Sequence, residues 1–147
     1  MADIARNRQA GYKYNFLEKW EAGLQLQGSE VKSLRNGGVQ LKDAFATVSN
    51  GEVWLHNMHI APYAPASREN HDPERSRKLL LHKGEIERLI GRTSEKGLTL
   101  IPTRLYWKNG RAKVEIALAR GKNVQDKRRY LKEKDARREI QQALQER

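Results

Sequence analysis

Apolar and polar residues alternate over most of this chain. From Tyr12 to Leu26 the apolar positions are Tyr12, Tyr14, Phe16, Trp20, Ala22, Leu24 and Leu26. A period of two predicts a strand with one buried face, with Glu18 and Gly23 as its irregular points. Ser29 to Gly37 predicts a short helix: Ser29 caps it, Val31 and Leu34 share a face, and Gly37 closes it in the left-handed conformation. Val39 to Val48 and Glu52 to Ile60 read as two further strands, joined at Ser49-Asn50-Gly51 because Asn-Gly accepts the positive φ of a tight hairpin. Periodicity lapses over 62–78, which holds three of the four prolines and the run Arg75-Ser76-Arg77-Lys78, and so reads as a long basic loop. A second helix carries Ile86, Leu89 and Ile90 on one side and stops at Gly97. Leu98 to Lys108, Asn109-Gly110 and Arg111 to Ala119 form a second hairpin, in which Val114, Ile116 and Leu118 alternate with Lys113 and Glu115. Residues 1–11 carry no pattern and read as a flexible lead.

Five strands, two short helices and Asn-Gly turns predict a mainly β fold, an antiparallel sheet closed as a small barrel. The oligonucleotide-binding (OB) type is the commonest such barrel that carries a helix between strands and takes nucleic acid. We assign residues 1–120 to this barrel domain and 121–147 to a basic C-terminal tail. Residues 120–147 contain ten Lys or Arg against five Asp or Glu. Ala136, Ile140, Ala143 and Leu144 fall at helical spacing, but their stripe is too thin to stabilise a helix alone. The tail is therefore expected to be disordered when free and helical against a polyanionic partner.

Charge sharpens the picture. The 147 residues carry 29 Lys and Arg against 18 Asp and Glu, a net +11, with a pI near 10.1. Such a field attracts nucleic acid, an anionic membrane or an acidic protein, and in a small chain this basic it favours nucleic acid. There is no cysteine, hence no disulfide, thiolate metal site or cysteine nucleophile. The N-terminal MADIARNRQAGYKY has no apolar run of a signal peptide, and no stretch approaches the roughly 18 apolar residues that span a bilayer, so a cytoplasmic protein without a membrane partner is expected.

Catalysis finds little support. His56 and His59 are three apart, but in a strand that spacing sends them to opposite faces. His71-Asp72 lies in the basic loop without a partner serine, and Asn36-Gly37-Gly38 follows a helix instead of opening one. We expect no enzyme, cofactor or metal. Three features suit RNA. Trp20, Trp54, Trp107 and five tyrosines offer stacking rings, although Trp20 reads as core and one of Tyr106 and Trp107 should be exposed. The basic loop runs into Leu79-Leu80-Leu81, and the tail concentrates cations.

Four blocks then form a pattern: EAGLQLQGSEVKSLR at 21–35, GEVWLHNMHIAPY at 51–63, RSRKLLLHKGEIERL at 75–89 and KVEIALARGKNVQDKR at 113–128. Together they closely resemble the SmpB (SsrA-binding protein) family, from about Asn7 to Arg138. The resemblance implies an OB-type barrel with flanking helices and a tail, acting as a monomer. It implies binding to the tRNA-like domain of transfer-messenger RNA and delivery of that RNA to the A site of a stalled 70S ribosome. The tail would meet ribosomal RNA of the decoding centre and messenger channel, and the incomplete peptide would then be tagged. By motif, the family's RNA-contact positions fall on Asn7, Glu21 and Leu80, with Lys78 placed to hold phosphate. Glu21 alternates with Trp20 and Ala22, so its carboxylate should point outward and can accept hydrogen bonds from a base amino group or a ribose hydroxyl. In the tail, Gly121, Lys122, Asp126, Lys127 and Arg128 match the family, whereas Asn123 replaces a second Lys and Gln125 replaces an aromatic or His. On the residues alone, a generic single-strand-binding OB protein and a structural protein of the ribosome remain open as alternatives.

Overall fold

The computed structural model describes residues 2–95 and 97–145. In chain order the elements are β1 (Ala2–Arg6), α1 (Ala10–Lys13), β2 (Tyr14–Leu24), α2 (Gly28–Arg35), β3 (Val39–Gln40), β4 (Phe45–Ser49), β5 (Glu52–His56), β6 (His59–Ile60), β7 (Arg77–Leu80), α3 (Lys83–Thr93), β8 (Leu98–Lys108), β9 (Arg111–Gly121) and α4 (Val124–Gln145), with a 3-10 turn at Ala64–Glu69 between β6 and β7. All pairings are antiparallel. The strands β8, β4, β5, β7, β2 and β9 succeed one another around a ring, which β8 closes by pairing with β9. The OB-type barrel thus has six strands in its wall instead of five.

Both Asn-Gly turns are as the sequence predicts: Asn50 and Gly51, and Asn109 and Gly110, all have positive φ, which matches the twist of the strands they join. Inward positions of β9 (Val114, Ile116, Leu118) meet Ala22, Val53, Leu55, Leu79, Leu100 and Leu105 in one core. Helix α3 drops Leu89 into that core, while Ile90, expected on the same buried side, is exposed.

Several expectations need correction. The N-terminal lead is not patternless coil from its second residue on: Ala2–Arg6 pairs with β8 as an edge strand, and Asn7 continues the link with its amide donating to Thr103 O at 2.8 Å. Met1 lies outside the described residues. The strand expected at Val39–Val48 is two strands, broken where Asp43 takes φ 63°, and that at Glu52–Ile60 breaks likewise at Asn57, φ 63°. Asp and Asn tolerate this left-handed region, so neither break shows in the apolar pattern. Helix α2 is capped by Gln27 and Glu30 in a reciprocal box, and Ser29 lies inside the helix with its hydroxyl 2.9 Å from His71 Nδ1. The helical form expected for the tail runs from Val124 to Gln145, and 146–147 fall outside the described residues. Its first turn is capped by Asn123, whose Oδ1 accepts from the Asp126 amide at 2.8 Å, and its next turns rest on α1.

The largest departure concerns the basic run. Arg77 is fully buried in β7, and so is Glu30 in α2. Arg77 donates from Nε to Glu30, from Nη1 to Met58 O at 2.6 Å and from Nη2 to Pro73 O at 3.1 Å. Arg75 reaches the other Glu30 oxygen from Nε at 3.0 Å and Nη2 at 2.5 Å. Two cations of the expected RNA-binding loop are therefore held by one carboxylate. Burial works against the ionised form of Glu30, but hydrogen bonds from Arg75, the Gln27 amide and Arg77 outweigh it and hold the carboxyl below its ordinary value.

Replacing Glu30 by alanine should cost about 3–5 kcal/mol, because it strands a buried guanidinium, and urea unfolding will read the loss. Because the folded-state value lies below that of the unfolded chain, the unfolded chain takes up the proton first. The stability Glu30 contributes is whole above the ordinary glutamate range near 4.5 and is lost as pH falls through the lower folded value. A parent protein that kept its urea midpoint to the acid side of both values would contradict this.

Candidate nucleic-acid interface

The alternation that fills the core leaves a second set of side chains on the outside of β2, β9 and β8. Glu21 of β2 stands directly opposite Glu115 of β9, and Arg104 of β8 stands on the other side of Glu115. Two carboxylates in register repel unless cations intervene. Around Glu115 lie Lys19 Nζ and Arg104 Nε, each at 3.4 Å, and the Thr103 hydroxyl donates to it at 2.8 Å. Glu21 accepts from the Tyr106 hydroxyl and from Lys108 Nζ at 3.1 and 3.3 Å. Arg104 ties the patch to β1 through Asp3 at 3.1 Å and lies 4.4 Å over the Tyr106 ring.

These contacts set the charge states. The Tyr106 hydroxyl, then Lys108, hold the Glu21 carboxyl below its ordinary range, while burial pulls weakly the other way. Burial, followed by the bond to Glu21, pushes the Tyr106 phenol up, so it stays a donor. Glu115 is also lowered: burial opposes, but Thr103, Lys19 and Arg104 prevail. Glu21 is thus a fixed anion with lone pairs left over, able to accept from an amino group or hydroxyl brought to the surface.

Beside it runs an open groove of about 580 Å³ between the β2–β7 junction and the start of α3, bordered by Glu21, Gly23, Lys78, Leu80 and Lys113. Leu80 is 51% exposed and forms its ridge. Gly23 pairs with Leu80 across the strands, and a Cβ on Gly23 would sit 3.3 Å from that of Leu80, so glycine lets the two strands close. On the far side of the ridge lies an apolar recess with Leu24, Leu26, Val31 and Trp107 on its walls. Lys78 Nζ is 3.1 Å from Glu52, a partly exposed pair that phosphate can compete for.

The structure therefore brings three of the sequence-predicted residues, Glu21, Lys78 and Leu80, to one groove. Asn7 is elsewhere, at the junction of β1 with α1, where its side-chain amide donates to Pro102 O at 3.0 Å and Leu41 O at 3.4 Å and its Oδ1 has no hydrogen-bond partner among the described residues. Gly121 is the last residue of β9, paired with Tyr14, and Lys122 is bound back to α1, so both belong to the barrel rather than the tail. Asp126, Lys127 and Arg128 form the first turns of α4. Sequence reasoning missed Tyr106 and Lys108 as the groups that clamp Glu21. Alternation puts both on the outer face of β8, but only the strand register shows which carboxylate they reach. The expectation that one of Tyr106 and Trp107 is exposed is not met: Tyr106 is 2% exposed beneath Arg104, and Trp107 is half-buried against the core, as is Trp20, while Trp54 is half-buried on the other face of β5.

His56 and His59 lie on separate strands, β5 and β6, engaged with Thr47 and Ser76 and with Glu74 respectively. Among the described residues no group of three or more His, Cys, Asp or Glu is arranged to hold a metal, and no helix is long and apolar enough to cross a membrane.

A fixed anion, an apolar ridge and lysines lie beside one groove, and a cation-rich helix leaves the other end of the β2–β9 ladder, so the molecule is a basic OB-type barrel with a basic tail. Comparison with known proteins gives this class a family. The family model described as SmpB protein matches residues 4–146. An SsrA-binding protein of Carboxydothermus hydrogenoformans is 57% identical over 141 residues, covering 96% of this chain and 95% of that protein. One from Bacillus cytotoxicus is 58% identical over 144 residues, covering 98% and 93%. A solved chain described as "tmRNA-SmpB: a journey to the center of the bacterial ribosome" superposes with a TM-score of 0.70 at 47% identity, over 88% of this chain and 95% of that one. The chain belongs to the SmpB family.

Changing Tyr106 to Phe removes the principal bond that holds Glu21 ionised. We expect the Glu21 carboxyl to titrate closer to the ordinary glutamate value, with the barrel intact. Carbon-detected NMR titration of that side chain measures it; an unmoved midpoint would mean that Lys108 alone sets the charge.

Proposed function

We propose that this protein is a non-enzymatic RNA-binding adaptor of ribosome rescue. It binds the tRNA-like domain of transfer-messenger RNA, delivers it to the A site of stalled 70S ribosomes and so enables tagging of the incomplete peptide. On this reading it works as a monomer in the cytoplasm, where ribosomes stall, and needs no cofactor. The observation that carries the reading is the family match over residues 4–146, with curated relatives at 57–58% identity named SsrA-binding protein. The groove supports it. Glu21 accepts from base or ribose donors, Leu80 packs on an unstacked base and Lys78 trades Glu52 for phosphate. Asn7 offers its free oxygen at a second point of contact. Barrel and tail divide the work: Asp126, Lys127 and Arg128 meet ribosomal RNA, together with the last barrel residues Gly121 and Lys122.

Transfer-messenger RNA should bind far more tightly than a single-stranded oligonucleotide of equal length at the same salt. Affinity should fall by roughly 0.7–0.9 log units per decade of salt for each phosphate neutralised. Glu21→Ala should weaken the RNA complex by about 1–3 kcal/mol, as expected for bonds lost to a charged acceptor. An idle surface anion would give the opposite sign, since removing it from a basic protein strengthens RNA binding. Filter binding of both RNAs to both proteins decides; equal affinity for the two ligands would overturn the adaptor reading.

Deleting residues 124–147 should leave the melting temperature almost unchanged, since the buried core lies within the barrel and its caps. The cut spares Gly121 and Lys122, which the barrel needs. RNA binding should fall only in its long-range charge component, whereas tag addition on ribosomes stalled without a stop codon should stop. Tagging at the parent rate would show that the tail is only a solvated charge run.

A further inference from the structure

Trp20 and Trp107 pack against the buried core of the barrel. Trp54 does the reverse. In β5 it alternates with Val53 and Leu55, both fully buried, so its indole stands on the outside of the wall, partly exposed. Its neighbours across the strands are Thr47 of β4 and Lys78 of β7. Lys78 turns its ammonium to Glu52 at 3.1 Å, and among the described residues no aromatic ring or cation is stacked on the indole. A single exposed apolar side chain calls for no explanation. This one stands in a strip.

One step along the same face, Phe45 of β4 lies in register with His56 of β5, their ring centroids 5.1 Å apart at 37°. His56 is held at both ring nitrogens by hydroxyls, Thr47 at 2.8 Å and Ser76 at 2.7 Å. Phe45 lines the same recess as Asn7. At the other end of the strip, Lys78 lines the groove of Glu21 and Leu80. The outer face of β4, β5 and β7 therefore joins two points of contact, Asn7 and the Leu80 groove, that are otherwise separate, and Trp54 stands in the middle of it.

The pairing with Lys78 gives the position its chemistry. Residues in register on neighbouring antiparallel strands have Cα atoms roughly 5 Å apart, so a cation and a flat apolar ring adjoin. A nucleotide presents the matching parts, a phosphate and a base. Once phosphate draws Lys78 from Glu52, the base beside it lies over β5, where the indole can cover one of its faces. Aromatic rings on barrel strands stack on bases of any identity, because every base has a π face.

We infer that Trp54 is a further RNA-contact residue, whose indole stacks on an unpaired base while Lys78 holds an adjacent phosphate. Which RNA brings the base rests on the adaptor reading; the stacking site itself does not.

Filter binding with the full-length protein tests this on the tRNA-like domain, a single-stranded oligonucleotide and a blunt RNA duplex, which has no unpaired base. Trp54→Ala should lower affinity for the tRNA-like domain roughly tenfold at every salt concentration. The slope of log affinity against log salt should not change, because a stacked base releases no counterion. Trp54→Phe keeps a flat ring and should stay within about threefold of the parent, whereas Trp54→Leu is apolar without a π face and should match Trp54→Ala. The duplex should bind the parent and all variants alike. Melting temperatures should hold, since the ring lies outside the core. Should one fall, fluorine NMR of fluorotryptophan-labelled parent protein decides without a substitution in the measured sample: the Trp54 signal, assigned by its absence from Trp54→Phe, should move when the tRNA-like domain is added. Parent affinity in Trp54→Ala, a leucine variant as tight as the phenylalanine one, or a fluorine signal that stays in place would overturn the stacking site. Equal affinity of the parent for the tRNA-like domain and the oligonucleotide would instead remove the adaptor reading, and the loss in Trp54→Ala would then be read on the oligonucleotide.

Discussion

A carboxylate with no access to water, held between two guanidinium groups, ties together parts of the chain that the barrel alone would not hold. Glu30 sits in the first turn of α2, Arg77 opens β7, and Arg75 precedes it in the connection that returns from β6. Through Met58 O and Pro73 O, the same Arg77 closes both ends of that connection. A lone charge on the buried Glu30 or Arg77 would be prohibitive; with Arg75 they compensate one another, and the geometry they demand leaves little freedom. The rest of β7 and the start of α3 inherit that placement. Leu79 enters the core, Leu80 is lifted onto the surface beside Gly23, and α3 begins where it can border the groove. The Leu80 ridge is thus positioned by an ion pair on the opposite side of its own strand.

How the cations are divided matters as much as how many there are. On the barrel, carboxylates engage Arg75, Arg77, Lys78, Arg88, Arg104 and Lys108. The barrel surface is consequently a pattern of alternating signs with Glu21 at a fixed point, which suits reading the shape and hydrogen-bonding edges of a structured RNA. Helix α4 offers cations on nearly all sides, exposed, which suits any phosphate at hand. Paired charges and unpaired cations are concentrated in different parts of one small chain.

Much of this is legible in the sequence, for reasons that can be named. The period of two in Lys113–Leu118 and the Asn-Gly turns are local properties, so β8, β9 and both hairpins can be read directly. The family blocks locate Glu21, Lys78 and Leu80, and the outward placement of Glu21 comes from alternation. The hidden features depend on partners distant in sequence. Residues 2–6 have no pattern of their own and become a strand because β8 offers them an edge. Arg77 looks like one of a run of solvated cations until Glu30, 47 positions away, is placed against it. Tyr106 and Glu21 are 85 residues apart, and their meeting is a matter of register. The apolar stripe of the tail is as thin and exposed as its spacing implies. Its contact with the barrel comes from Tyr130, a single ring set against Tyr12 of α1 and Lys122, which no periodicity marks.

The ring of strands is unevenly stitched. Strands β2, β9 and β8 pair along nearly their whole lengths, and β4, β5 and β7 form a second ribbon, but β7 meets β2 only at Gly23–Leu80 and Leu24–Leu79, and β4 meets β8 only at Ala46–Leu100. Mechanically the wall is two stiff staves joined at two narrow seams, one beside the ridge and the other spanned by α3. A load on such a body does not spread evenly over the ladders; it falls first on the seams, where the fewest backbone hydrogen bonds resist it and the shared core must hold. The groove lies over one of those seams, so its floor is a part of the wall held by few cross-strand bonds and more by side-chain packing.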